Sequence, residues 1–233
     1  MTTSLAPAHV PACIDDSVRE AFAQFVAQPD YPCLGARSAI RRGGCRIGVY
    51  GHMGSAATTA ALAADLAAFA RDPAAFSSPS APLITFAAVF VQPAPRSEAG
   101  FETALWDQLT QLTGADPSPA WASGASDDPD DPHFAFSFAD TAFFVIGLHP
   151  ESSRLARRFG WPALVFNPHA QFARLRAEER FEGLRQSVRA RDISLQGDIN
   201  PNLADVGERS EARQYSGRRT DDAWRCPFHR NEP

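Results

Sequence analysis

The segment LVFNPHAQFARLR (164–176) places a histidine where it could bind a metal. An apolar strand over 163–166 leads into Asn167 and Pro168, which are a good N-cap and a favoured first helical residue. We therefore expect a helix to begin here and to hold His169 in its first turn. The positive end of the helix dipole disfavours imidazolium, and neutral imidazole is the form that ligates metals. The alternative is a hydrogen-bonded histidine with a structural role.

A second histidine, His149, follows the apolar run FFVIGL and is expected at the carboxyl end of a strand, where α/β proteins commonly place functional groups. A basic segment, ESSRLARRF (151–159), comes directly after it and is expected to form a short helix. Its three arginines are Arg154, Arg157 and Arg158. Guanidinium pairs bidentately with carboxylates, so this cluster suits a ligand that bears carboxylate groups. A solvated basic helix face is the alternative.

Two other motifs have a less specific spacing. Cys226 and His229 lie close together near the C-terminus, but no second pair completes a structural zinc site. The thiolate of Cys226 is instead a candidate ligand for haem iron, or a small buried thiol that anchors the tail. The glycines of GVYGHMGSA (48–56) could cradle a phosphate between a strand and a helix, or could simply form a tight turn with His52 at the surface.

Composition and charge exclude several classes of function. The chain has 233 residues, 44% of them hydrophobic, and a formal net charge of −5, so it lacks the basic excess of a nucleic-acid-binding protein. All 22 basic residues are arginine, and without lysine neither a pyridoxal-phosphate Schiff base nor a P-loop can form. The scattered cysteines, the lack of a signal-peptide pattern and the lack of a long apolar run lead us to expect a cytoplasmic protein without a membrane span.

Hydrophobic periodicity predicts strands that alternate with helices. The expected helices cover 16–28, 55–73 with Ser55 as N-cap, 97–112, 151–159 and 168–191, and the expected strands cover 45–51, 83–91, a hairpin over 134–138 and 142–148, and 163–166. This order indicates an α/β or α+β fold with a central mixed β-sheet flanked by helices, in one domain over 1–233. The acidic stretch at about 114–132 is expected to be a mobile loop, and the C-terminal segment after Asp192 is expected to be long and irregular.

Five stretches in order carry a family resemblance: YPCLGARSA (31–39), GLHPESSRLARRF (147–159), FNPHAQFARLR (166–176), RARDISLQGDINPNL (189–203) and SEARQYSGRRTDDAWRCPF (210–228). Together they resemble the YqcI/YcgG family. Characterised relatives are haem-dependent N-hydroxylases that act on guanidino groups of arginine or of arginine-derived compounds. The resemblance implies a monooxygenase that binds one b-type haem, held non-covalently because no C-x-x-C-H attachment motif is present.

The resemblance also implies how a haem would be bound. His169 becomes the first choice for the axial ligand of the iron, with His149 and Cys226 as alternatives. The propionates of the haem would pair with at least one arginine of the basic cluster, which comprises Arg154, Arg157 and Arg158.

Catalytic roles follow from the same resemblance. His149 and Glu211 are the catalytic candidates, and Glu211 is the carboxylate expected to pair with the guanidinium of the substrate, with Asp192 and Asp205 behind it. For each of the three carboxylates, the alternative is an exposed side chain in a solvated C-terminal segment. The oxidant would be O2 or peroxide, and electrons would come from a separate protein partner. No nucleic acid or membrane is expected as a partner, and a homodimer stays open. The alternatives are a non-catalytic haem sensor or carrier, a peroxidase-like protein, and a haem-free protein that binds a phosphate at the glycine turn.

Overall fold

The computed structural model describes residues 12–72, 83–93, 95–118, 120–203 and 207–230. These residues contain seven α-helices and a five-stranded sheet. The helices are α1 (Ala12–Ala27), α2 (Leu34–Arg41), α3 (Ala56–Ala70), α4 (Glu98–Gly114), α5 (His169–Ala177), α6 (Phe181–Gln196) and α7 (Ala212–Tyr215). The strands are β1 (Cys45–His52), β2 (Thr85–Gln92), β3 (Phe136–Phe138), β4 (Thr141–Leu148) and β5 (Ala163–Pro168). None of the helices described is both long and apolar enough to cross a membrane.

The strands lie in the order β1–β2–β5–β4–β3. β1 and β2 are parallel, and the other three neighbouring pairs are antiparallel. The sheet is therefore mixed and flanked by helices, which confirms the predicted fold class. The predicted hairpin is confirmed as β3–β4, and its two linking residues, Ala139 and Asp140, have positive φ angles of 49° and 60°. Positive φ at both central residues is the conformation of a type I′ hairpin turn.

Side chains of alternate residues face opposite sides of the sheet. Along β2, Phe86, Ala88 and Phe90 pack in one core cluster with α3 and α4, whereas Ala87 and Val89 pack in a second cluster with α1. Helices therefore cover both faces, and the second face is the one that bears the cavity described below.

The helix expected over 168–191 is two helices, so that prediction is wrong. Glu179 has a φ of +57° between α5 and α6, and the N–H groups of Glu179 and Arg180 donate to the carbonyls of Arg176 and Leu175 at 3.0 and 2.9 Å. This is a Schellman motif, which ends a helix. Glycine normally occupies the left-handed position, and a glutamate there gives no sequence signal for the break.

The start of α5 also differs from the prediction. β5 continues through Asn167 to Pro168, Pro168 is the N-cap residue, and the helix begins at His169. The Asn167 side chain caps no helix, because it donates to the carbonyl of Phe144 at 3.2 Å across the sheet. His169 nevertheless lies in the first turn, as predicted.

Two shorter segments were predicted less well. The helix expected over 151–159 is only a 3₁₀ turn at Leu155–Arg157. α2 was not predicted at all, and its N-cap is the thiol of Cys33, which accepts a hydrogen bond from the Ala36 N–H at 3.4 Å.

The described residues of the acidic stretch form turns beyond Gly114, and Ala122 N–H donates to the buried Ser137 hydroxyl at 2.9 Å. The mobility of this stretch stays a prediction.

Candidate functional site

A cavity of about 420 Å³ lies between the second face of the sheet and helices α2, α5 and α6. Natural small-molecule and cofactor sites have volumes of this order. Much of its wall is apolar and is built by Phe144, Ile146, Val165, Phe172, Phe181, Leu184 and Val188. Among the described residues, the charged side chains at its wall are those of Arg157, Arg176, Arg185, Arg189, Arg209, Asp192 and Glu211. The cavity thus combines an apolar wall with an excess of positive charge.

His169 lies at the wall of this cavity, at the junction of β5 and α5. Its side chain is 35% exposed, and its Nε2 atom is 3.1 Å from Glu211 Oε1. The same carboxylate oxygen lies 2.5 Å from the hydroxyl of Tyr215, one turn later along α7. That hydroxyl also accepts a hydrogen bond from the N–H of Phe136 at 3.1 Å. A continuous polar chain therefore connects strand β3 to the imidazole of His169.

The Glu211 carboxylate determines which nitrogen of His169 carries the proton. A carboxylate only accepts hydrogen bonds, so Nε2 must be the donor in the contact with Glu211. In a neutral imidazole, the other nitrogen, Nδ1, then keeps its lone pair. Carboxylate–histidine pairs of this kind orient the ring and make it a better metal ligand. His169 therefore has the supporting contact that a ligating histidine requires.

The three arginines of the basic cluster have different environments. Arg154 is buried and pairs with Asp192, at 2.6 Å, and with Asp198. Arg158 is exposed and donates to the Ser152 carbonyl at 2.8 Å. Of the three, only Arg157 lines the cavity. The alternative of a solvated basic helix face applies to Arg158 alone.

His149 is fully buried and does not border the cavity. Its ring stacks on Phe101, with ring centroids 4.3 Å apart, and neither ring nitrogen has a hydrogen-bond partner among the residues that the structure describes. Burial lowers the pKa of His149 to about 4, so the ring is neutral at physiological pH. Gly147 helps to admit Phe101, because a Cβ there would lie 2.5 Å from the phenyl ring. The structure does not bring His149 together with His169 or Glu211.

Cys226 packs against the core cluster that α3 and α4 share, away from the cavity. Burial raises the pKa of its thiol to about 12, so the thiol stays protonated. Within the described part of the chain, no group of three or more His, Cys, Asp or Glu side chains could hold a metal ion. The surroundings of Cys226 match the alternative of a small buried thiol near the tail.

The remaining candidates have the following positions. Asp192 borders the cavity, but its Oδ2 atom is occupied by Arg154 and by the N–H of Asn200 at 3.3 Å. Asp205 lies outside the described residues. In the glycine turn, the N–H of Gly54 donates to the Gln108 side chain at 2.9 Å, and His52 is exposed as expected. The N–H of Gly54 is therefore used by the protein itself.

Sequence reasoning missed Tyr215, whose hydroxyl contacts Glu211. Glu211 and Tyr215 are four residues apart, which is the spacing of neighbours on one helix face, and this was the available signal. Tyr31 and Cys33 also line the cavity, and both lie in the stretch 31–39 that carried part of the resemblance. No periodicity marks them, since they come from a turn and from the N-cap of α2.

The fold and the cavity define a class: an α+β protein with a partly apolar ligand cavity, bordered by a histidine–glutamate pair and by arginines. A model of the YqcI/YcgG family matches residues 22–229. Because the match covers most of the chain, the protein belongs to the YqcI/YcgG family, and the resemblance of the five stretches is confirmed. No curated protein and no solved structure matches the chain.

Proposed function

We propose that the protein binds a b-type haem in the cavity, with His169 as the ligand of the iron, and N-hydroxylates a guanidino group of arginine or of an arginine-derived small molecule. One observation carries the proposal: His169 lines the cavity and is held by Glu211, which leaves Nδ1 able to coordinate. Membership of the YqcI/YcgG family adds the chemistry that the resemblance implied. A bound haem would supply the activation of the oxidant.

The residues at the cavity fit such a group. A macrocycle needs flat apolar contacts, and Phe144, Phe172, Phe181, Ile146 and Val165 provide them on two sides. The apolar wall would also exclude water from the reacting centre. Arginines at the wall match the negative charge of propionates.

Two roles are proposed for Glu211, and they are alternatives. Its Oε1 atom holds His169 and Tyr215, whereas its Oε2 atom makes no hydrogen bond with the described residues. A guanidinium substrate requires a carboxylate acceptor, and Oε2 of Glu211 is the acceptor that we assign to it. If Glu211 holds the ligand of the iron, it cannot also reach a substrate at the reacting centre, so Glu211→Gln separates the two roles: a changed haem spectrum indicates the support of His169, and weaker binding of the guanidino compound with an unchanged spectrum indicates the substrate contact. Asp192 is a poorer candidate because Arg154 already uses its charge.

The overall reaction needs other participants. With O2, one oxygen atom enters the new N–OH group and the other leaves as water, and the balance requires two electrons and two protons. We assign the electrons to a separate electron-transfer partner. With hydrogen peroxide as the oxidant, the same product forms with water and no added electrons.

The test is a titration of the purified protein with haemin, followed by the Soret band and by a pyridine haemochrome assay. We expect saturation at about one haem per chain. His169→Ala should change the axial-ligand spectrum and abolish turnover of guanidino compounds, whereas His52→Ala, a surface control in the same protein, should change neither. A protein that stays colourless refutes the proposal, and a haem complex that turns over no guanidino compound supports the sensor or carrier alternative.

A further inference from the structure

We propose that Arg157 forms a subsite for a carboxylate group of the ligand, at the opposite end of the cavity from His169. This inference rests on the proposed function because both concern the same cavity. The ligand that carries the carboxylate need not be haem. It is carried by the contacts of Arg157, by its partial burial at the cavity wall and by the charges of its neighbours.

Among the described residues, the groups that hydrogen-bond to the guanidinium of Arg157 are neutral. Its NH1 atom donates to the carbonyls of Tyr215 and Gly147 at 2.9 and 3.4 Å. No carboxylate in the described part of the chain forms an ion pair with it. Desolvation by burial lowers the pKa of Arg157 to about 10, so the group is still cationic at neutral pH. Arg157 is only partly exposed, and a desolvated charge without a hydrogen-bonded counter-ion destabilises a protein, which makes this arrangement costly unless a ligand completes it.

Neighbouring arginines show the contrast. Arg154 is paired with Asp192 at 2.6 Å, and Arg218 donates from Nε to Glu102 at 2.8 Å. The described part of the chain therefore supplies a carboxylate for each of these two guanidinium groups, and it supplies none that pairs with Arg157. Asp192 is near enough to affect Arg157 electrostatically, but its hydrogen bonds go elsewhere.

The surroundings of Arg157 leave room for its long side chain. Gly217 has a φ of +83°, and a Cβ at this position would lie 2.6 Å from Cδ and 3.2 Å from Nε of Arg157. The glycine lets the arginine side chain lie between the C-terminal segment and β4, and Arg157 is one of the residues that border the cavity. The cavity, rather than a protein carboxylate, is available to the remaining donors of the guanidinium.

The register of the sheet gives the distance between this subsite and His169. Arg157 contacts the carbonyl of Gly147, and Pro168, the residue before His169, pairs with Phe143. These positions on β4 are four residues apart, which corresponds to about 13 Å along a strand. A planar carboxylate matches the fork of donors of one guanidinium, so a carboxylate is the anion we assign. It could come from a haem propionate or from a free amino-acid substrate.

Arg157→Met removes the charge and keeps an unbranched side chain. The control is Arg225→Met, since Arg225 also donates to carbonyls but is exposed and lies away from the cavity. Each protein is titrated with protohaem and its dimethyl ester, and then with L-arginine and agmatine, which lacks the carboxylate. In at least one of the two pairs, the wild type should bind the compound that has the free carboxylate about tenfold to a hundredfold more tightly than the compound that lacks it. Arg157→Met should bind both compounds of that pair with similar affinity. The pair that responds identifies the source of the carboxylate.

Two further measurements keep the result decisive. If neither porphyrin binds, the proposed function fails, and the subsite is then tested on the haem-free protein. Propanoate should raise the Tm of the wild type above its value in chloride of equal ionic strength. Arg157→Met should remove this increase in Tm. Arg157→Lys, which keeps the charge, should retain part of the preference if Arg157→Met does not fold. A preference or Tm shift that is the same in the wild type and in the Arg157 variants overturns the proposal.

Discussion

The buried hydroxyl of Tyr215 offers a test of the site that needs no ligand. In the Tyr215→Phe variant the packing of the ring is kept, but Phe136 N–H loses its acceptor and Glu211 loses its donor. An unsatisfied buried N–H costs about 1–3 kcal/mol, and a hydrogen bond to a charged group is worth about 1.5–3 kcal/mol. Glu211 borders the cavity, where water can replace part of the lost bond. We therefore expect the free energy of unfolding to fall by about 3 kcal/mol.

The matched control is Tyr50→Phe. Tyr50 is also buried and donates to Asp65 at 2.7 Å, but Asp65 is exposed and can rehydrate, so about 1 kcal/mol is expected. For a chain of this size, 1 kcal/mol corresponds to about 2–4 °C in Tm. Thermal unfolding of the ligand-free proteins should thus show a Tm lowered by about 6–12 °C for Tyr215→Phe and by about 2–4 °C for Tyr50→Phe. Urea unfolding should show the corresponding losses of free energy, about 3 and about 1 kcal/mol. Equal shifts for the two variants would show that the hydroxyl of Tyr215 does not hold β3 and Glu211 together.

Two more predictions concern the buried titratable groups. His149 takes up a proton near pH 6.5 in the unfolded chain but only near pH 4 in the folded chain. The free energy of unfolding should therefore be unaffected by His149 above pH 6.5, and it should fall by about 3 kcal/mol as the pH drops to about 4. His149→Leu should flatten that part of the stability curve in urea titrations, and an unchanged curve would contradict the burial of a neutral ring. Iodoacetamide at pH 8 should modify Cys13 first in the folded protein, because burial raises the pKa values of the Cys45 and Cys226 thiols to about 12 whereas Cys13 is exposed. Peptide mass spectrometry checks this order, and early modification of Cys226 would refute it.

Much of the secondary structure could be predicted because local patterns determine it. The apolar runs of β2 and β5 and the hairpin of β3 and β4 are visible in the sequence, although Thr141, expected in the link, belongs to β4. Ser55 caps α3 by accepting from Thr58 N–H at 3.3 Å. The order of the strands could not be predicted. β5 is the last strand along the chain, yet it lies between β2 and β4, and its pairing depends on which apolar faces meet in three dimensions.

The site was predictable to a similar degree. His169 and Glu211 were each singled out, but their contact joins residues 42 positions apart and no local pattern encodes it. The three arginines looked equivalent in sequence. Their difference arises from tertiary contacts: Asp192, 38 positions after Arg154, neutralises that arginine, whereas no carboxylate of the described residues pairs with Arg157. Charge pairing over such separations becomes visible only when the chain is folded.

The C-terminal segment shows how an irregular stretch can build a site. Glu102 on α4 is buried and accepts hydrogen bonds from Ser216 at 3.0 Å, from Arg218 at 2.8 Å and from the indole of Trp224 at 3.2 Å. One carboxylate therefore fixes three points of a segment that has little regular structure. Because residues 211–217 are held at this position, Glu211 reaches His169 and Gly217 admits Arg157. The described residues of this segment make few backbone hydrogen bonds with one another. The contacts of the buried Glu102 therefore supply the order that a helix or strand supplies elsewhere, and both ends of the cavity depend on them.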